Sequence, residues 1–156
     1  PLPFATAPRC GYSLPYIKEL ISGTEKIMGN KPGAHICGKT KPIWSDLADA
    51  GVCFFSIDNC EDLAEAKSLI GDKMRIAGNV PPIEVMLEGT IDDVISSCVS
   101  CMKKAANNPK GFILNTGCQI PIGTPKANME AFIYAVRKYG RGARLGHLPK
   151  GLEEFG

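Results

Sequence analysis

Apolar residues fall in two rhythms along this chain. Short continuous runs occupy residues 33–37, 52–57, 75–80 and 112–115, with little polar alternation inside them. Runs of that kind are the pattern of parallel strands covered on both faces. Each is followed by a polar or glycine-containing turn and then a helical stretch, which gives four βα units and an α/β fold. The helix expected over 92–106 places Ile91, Val94, Ile95, Cys98, Val99, Met102 and Ala105 at three- and four-residue steps, with Thr90 or Ile91 at its start. The helix expected over 125–139 has Thr124 as N-cap, Pro125 at its first position and Gly140 where a left-handed stop would end it. A further helix fits 14–28, although Pro15 confines its start and Gly23 weakens its centre. Beyond Tyr139, glycine and basic residues alternate up to His147, so 140–156 reads as a surface tail on a single domain spanning 1–156.

Composition narrows the class. With 156 residues, 44% of them hydrophobic and 22% charged, the chain can bury a real core and is not disordered. A net charge of +2, without basic stretches interleaved with aromatics, argues against a nucleic-acid partner. No apolar run approaches the ~18 residues of a membrane span, and Pro1 to Phe4 lack the basic start of a signal peptide, so a cytoplasmic location is expected. Seven cysteines at irregular spacing read as reduced thiols and metal ligands rather than a disulfide framework.

The candidate chemistry lies where the apolar runs end. His35 and Cys37 stand two residues apart in Gly33-Ala34-His35-Ile36-Cys37-Gly38, so on an extended strand both face the same way. Cys118, after Leu114-Asn115-Thr116-Gly117, could join them only through the tertiary fold. Imidazole and thiolate are donors that zinc prefers, and three of them leave a coordination position open, as catalytic zinc sites do; a closed structural site would want a fourth. Such a site would hold a thiol as thiolate and turn it on an electrophilic carbon, which makes alkyl transfer to sulfur the natural reaction. The alternative is that His35 and Cys37 are packed strand residues and Cys118 an ordinary buried thiol.

The other cysteines read more plainly. Cys98 and Cys101 form a CxxC inside an amphipathic helix, which favours core packing over redox work. Cys53 is expected in the core of its strand, Cys10 in a loop and Cys60 at a helix start, and His147 in solvent. Asp58 and Asn79 stand at carboxyl ends of strands, where α/β folds place ligands, and are candidate substrate contacts. Asp58 also reads as an acceptor behind a metal ligand, or, with Asn59, as the cap of the next helix.

Over about residues 14–140 the chain resembles the uroporphyrinogen decarboxylase superfamily, and within it the corrinoid-dependent methyltransferases that methylate coenzyme M. The carriers are His35-Ile36-Cys37-Gly38, the strand from Gly51 to Asp58, Asp62-Leu63-Ala64-Glu65-Ala66-Lys67, Gly78-Asn79-Val80, Gly117-Cys118 and Thr124-Pro125-Lys126-Ala127-Asn128. In the methyltransferase branch an H-x-C pair and a later cysteine bind zinc, and these fall on His35, Cys37 and Cys118. Decarboxylases lack the pair and carry a histidine after the glycine matching Gly117. The resemblance therefore implies Zn2+, a methyl-corrinoid donor on a partner protein and a thiol substrate such as coenzyme M.

It also implies a TIM barrel, of which this chain resembles the carboxyl-terminal half, since four βα units are seen and eight are needed. A half-barrel exposes two strand edges, so pairing with a second copy or with an amino-terminal half is expected; the chain reads as incomplete and begins without methionine. Pro81 follows Gly-Asn-Val where the family often has aspartate, which leaves that aspartate's role without a carrier here. Two other functions remain open at this point: a metal-free decarboxylase-like enzyme, and a partial barrel that folds without catalysing.

Overall fold

A computed structural model describes residues 13–153. Four strands, β1 (Ala34–Ile36), β2 (Phe54–Ile57), β3 (Arg75–Val80) and β4 (Phe112–Thr116), form one parallel sheet in the order β1-β2-β3-β4. Between and around them lie α1 (Leu14–Met28), α2 (Trp44–Ala50), α3 (Leu63–Ile70), α4 (Ile91–Ala105), α5 (Lys126–Tyr139) and the short α6 (Lys150–Glu153). A 3-10 turn, Lys41–Ile43, precedes α2, and a π-helical turn, Pro82–Leu87, precedes α4. Sequential order with parallel pairing is what successive βα crossovers produce, and it makes β1 and β4 the sheet's open edges.

The central strands show why the apolar runs lack alternation. In β3 every residue from Ile76 to Val80 is buried, as are Phe55, Ser56 and Ile57 of β2. Of the stripe expected on α4, Val94, Cys98, Val99, Met102 and Ala105 face inward, with Cys101 buried beside them, whereas Ile95 is half-buried and Ile91, at the first turn, is exposed. Burial pushes the Cys98 thiol up to about 12, so it stays a protonated packing group. Thr90 and Asp93 close a capping box at the helix start. α3 is capped by Asp62, whose carboxylate accepts from the Ala64 and Glu65 amides and from Lys104 on α4 at 2.6 Å. Neither Asp58 nor Asn59 takes that role.

Three local expectations are corrected. α5 begins at Lys126 with Pro125 as N-cap, because Pro125 is extended (ψ 135°); Thr124 is therefore one residue too early to reach the first amides. Gly140 ends that helix in a right-handed conformation (φ −80°), its amide still bonded to Val136, whereas left-handed stops occur at Gly29 and Gly51. Cys53 is exposed and lies ahead of β2, with its thiol donating to the Lys31 carbonyl at 2.9 Å.

Residues 141–148 are exposed, His147 among them, but Pro149, Gly151 and Leu152 are buried and α6 packs on α5. Tyr16, Leu20, Ile27 and Met28 of α1, and Ile133 and Tyr134 of α5, point outward into solvent. No helix among the described residues is long and apolar enough to cross a membrane.

Candidate metal centre

His35 lies in β1 and Cys37 directly after it, while Cys118 follows β4, at the opposite edge of the sheet. Strands three spacings apart in a flat sheet would stand about 14 Å from each other. Yet Cys37 Sγ and Cys118 Sγ are 3.5 Å apart, His35 Nε2 is 3.2 Å from Cys37 Sγ, and the three donor atoms all lie within 4.8 Å of one another. The turn after β4 makes this possible by crossing back over the loop after β2. Gly117 packs so closely there that an added Cβ would sit 2.7 Å from Asn59 Cβ and 2.9 Å from its Cα. Thr116 Oγ1 holds the turn by donating to the Cys118 carbonyl at 2.7 Å.

β2 and the loop that follows it support all three donors. The Ser56 carbonyl accepts from His35 Nδ1 at 3.1 Å, with the Ser56 hydroxyl 3.2 Å from the same nitrogen. A carbonyl can only accept, so Nδ1 donates to it, and Nε2 is the ring nitrogen that faces the two sulfurs and can offer its lone pair to a metal. Asp58 accepts from the Gly38 amide at 2.8 Å, fixing the backbone just past Cys37, and from the Cys60 amide at 3.0 Å. Burial opposes ionisation of Asp58, but these two amides and the nearby imidazole outweigh it and hold the carboxyl below its usual range. Asn79 is buried; its amide nitrogen donates to the carbonyls of Asp58 and Glu61 at 3.1 and 2.8 Å, and its oxygen takes the Cys101 thiol at 3.7 Å. Asp58 thus holds the backbone just past Cys37, and Asn79 holds the loop after β2 against which the Cys118 turn packs. The roles of Ser56 and Gly117 were not read from the sequence. A strand serine and a loop glycine carry no local signal for what they will touch.

The residues fit zinc. A tetrahedral ion with Zn–S near 2.3 Å and Zn–N near 2.0 Å separates its ligands by about 3.5–3.8 Å, close to the spacings found here. The two thiols share a charge unevenly. Hydrogen bonding to Cys118, together with burial and nearby negative charge, raises Cys37; His35, and then Cys37, stabilise the Cys118 thiolate and lower it. Two thiols and an imidazole held this close could supply three of the four ligands of a tetrahedral cation.

The acid response of the support follows from its sign. A carboxylate lowered by folding stabilises the fold above its unfolded pKa and loses that contribution as pH falls through the folded value, below about 4. Asp58→Ala is expected to weaken zinc binding about tenfold at neutral pH, in the range found when groups behind metal ligands are removed. Competition against a chromophoric chelator measures this, and an unchanged affinity would show that Gly38 needs no acceptor.

Comparison with known proteins bears on the same site. The uroporphyrinogen decarboxylase (URO-D) family model matches residues 10–139. A methylcobamide:CoM methyltransferase, MtaA, of Methanosarcina barkeri is 34% identical over 67% of this chain and 30% of its own length. The chloroplastic uroporphyrinogen decarboxylase 2 of Arabidopsis thaliana is 31% identical over 78% of this chain and 30% of its own. Among solved structures, a methyltransferase from Methanosarcina mazei superposes with a TM-score of 0.69 at 26% identity, covering 82% of this chain and 36% of that one. The chain spans about a third of the length of the relatives it matches. Its four βα units have the architecture of a partial (β/α)8 barrel, and the chain belongs to the uroporphyrinogen decarboxylase family.

Proposed function

We propose that this chain is the metal-binding part of a methyltransferase that passes a methyl group from a methyl-corrinoid, carried on a partner protein, to a thiol such as coenzyme M. The observation that carries the reading is the convergence of His35 Nε2, Cys37 Sγ and Cys118 Sγ within 4.8 Å at the carboxyl ends of strands, where barrel enzymes gather their chemistry. The likeness to a methylcobamide:CoM methyltransferase supports the choice of donor and acceptor. Zinc held by these three residues would supply the positive charge that keeps a substrate thiol deprotonated at neutral pH.

The chain's own residues do the rest. Ser56 keeps His35 in the tautomer whose Nε2 is free, Asp58 sets the backbone behind Cys37, and Gly117 seats the Cys118 turn against Asn59. As the new sulfur–carbon bond forms, the cobalt–carbon bond of the donor breaks with its electron pair left on cobalt, and the thiol's proton goes to solvent. The open edges β1 and β4 are taken up by a further half-barrel, either an amino-terminal counterpart or a second copy.

Elemental analysis and X-ray absorption test the reading together. About one zinc per chain with one nitrogen and two sulfur neighbours is expected, and methylcobalamin-dependent methylation of coenzyme M when both halves of the barrel are present. Less than about half an equivalent of zinc after metal-replete purification would overturn it. Turnover of a tetrapyrrole carboxylate by a zinc-free preparation would point instead to decarboxylation.

A further inference from the structure

The amino-terminal end of the sheet, opposite the metal centre, carries a cavity of about 350 Å3 whose wall brings together Lys31, Lys73, Arg75 and Lys110. These residues come from four separate places: the approach to β1, the turn after α3, the first residue of β3 and the turn before β4. Only Lys73 has an acidic partner, Asp49 at 2.9 Å, and Asp49 is not part of the cavity wall. Among the described residues Lys31, Arg75 and Lys110 make no ion pair.

A chain whose net charge is only +2 has thus gathered four cations around one concavity. Like charges facing a shared space raise its positive potential and draw an anion into it. Guanidinium offers a planar fork and the ammonium groups point charges, the combination that suits phosphate oxygens. At about 350 Å3 the concavity has room for more than a single phosphate, two linked ones included. We infer that this cavity is a binding site for a phosphate-bearing small molecule of about diphosphate size, at the opposite end of the sheet from the metal centre and independent of it.

Titrating the full chain with inorganic pyrophosphate at fixed ionic strength, followed by calorimetry, tests this. Saturable one-to-one binding is expected, weakened at least about tenfold in Arg75→Gln/Lys110→Gln and, as a separate variant, in Lys31→Gln. Lys126→Gln/Arg137→Gln, which removes cations from α5 instead, should bind as the parent does. No saturation by about 10 mM, or equal weakening by the α5 pair, would overturn the site. So would pyrophosphate binding untouched in both cavity variants when circular dichroism shows them folded. Sedimentation with phosphatidic-acid vesicles that pyrophosphate fails to displace would assign the cations to a membrane headgroup and overturn the small-molecule reading.

Discussion

Cys118→Ser is expected to bind zinc about a thousandfold more weakly than the parent chain. Structural zinc sites with four ligands are worth roughly 10–16 kcal/mol, so one thiolate carries on the order of 3–4 kcal/mol, which is two to three decades in affinity. The hydroxyl that replaces it keeps its proton and makes a poor ligand. The pH profile of the parent chain gives an independent reading of the same site. Metal binding needs both sulfurs deprotonated, and here Cys118 is lowered while Cys37 is raised. Between those two values Cys37 still holds its proton, so affinity should climb about tenfold per pH unit, and below the Cys118 value about a hundredfold per unit. Chelator competition between pH 6 and 9 measures this at roughly half-unit steps, and a flat profile would mean that the thiols are not the ligands.

Gly117→Ala should do nearly as much damage without touching a ligand. The added methyl would run into Asn59, at its Cβ, its Cα and its amide nitrogen, so relief requires backbone to move. Overpacking of that kind costs about 1–3 kcal/mol, and the direction that relieves it lifts the Cys118 turn off the β2 loop. We expect a lowered melting temperature and zinc affinity reduced about a hundredfold, with the sulfur coordination number falling from two toward one. Retention of parent affinity in a folded Gly117→Ala protein would show that the turn can reach the site by another path.

How far the sequence speaks for itself differs between levels. The four βα units, the inward stripe of α4 and the Thr90 start were legible because each rests on local spacing: continuous apolar runs for strands, three- and four-residue steps for the helix. The candidate donors were legible because H-x-C at a strand end is a chemical statement as well as a pattern. What failed was any choice that depends on which neighbour arrives. Gly140 stands where a left-handed stop is expected, yet its amide continues the helical bonding to Val136. The apolar run puts Cys53 in the core, yet the pairing of β2 begins one residue later and leaves the thiol on the Lys31 carbonyl. Cys10 lies outside the described residues. Asp58 and Asn79 stand at strand ends as their place in the sequence predicts, but their polar groups meet loop backbone, a partner that no local pattern specifies.

The placement of Cys37 and Cys118 on opposite borders of one sheet also bears on folding. A cation shared between them acts as a coordinate cross-link that closes a ring of chain 81 residues around, much as a disulfide would. Chain-entropy reasoning values the closure of such a ring at about 4.5 kcal/mol, drawn from the freedom removed from the denatured chain. The metal would then be a rivet, and the three side chains proposed to hold it would keep an open ribbon of strands from uncurling.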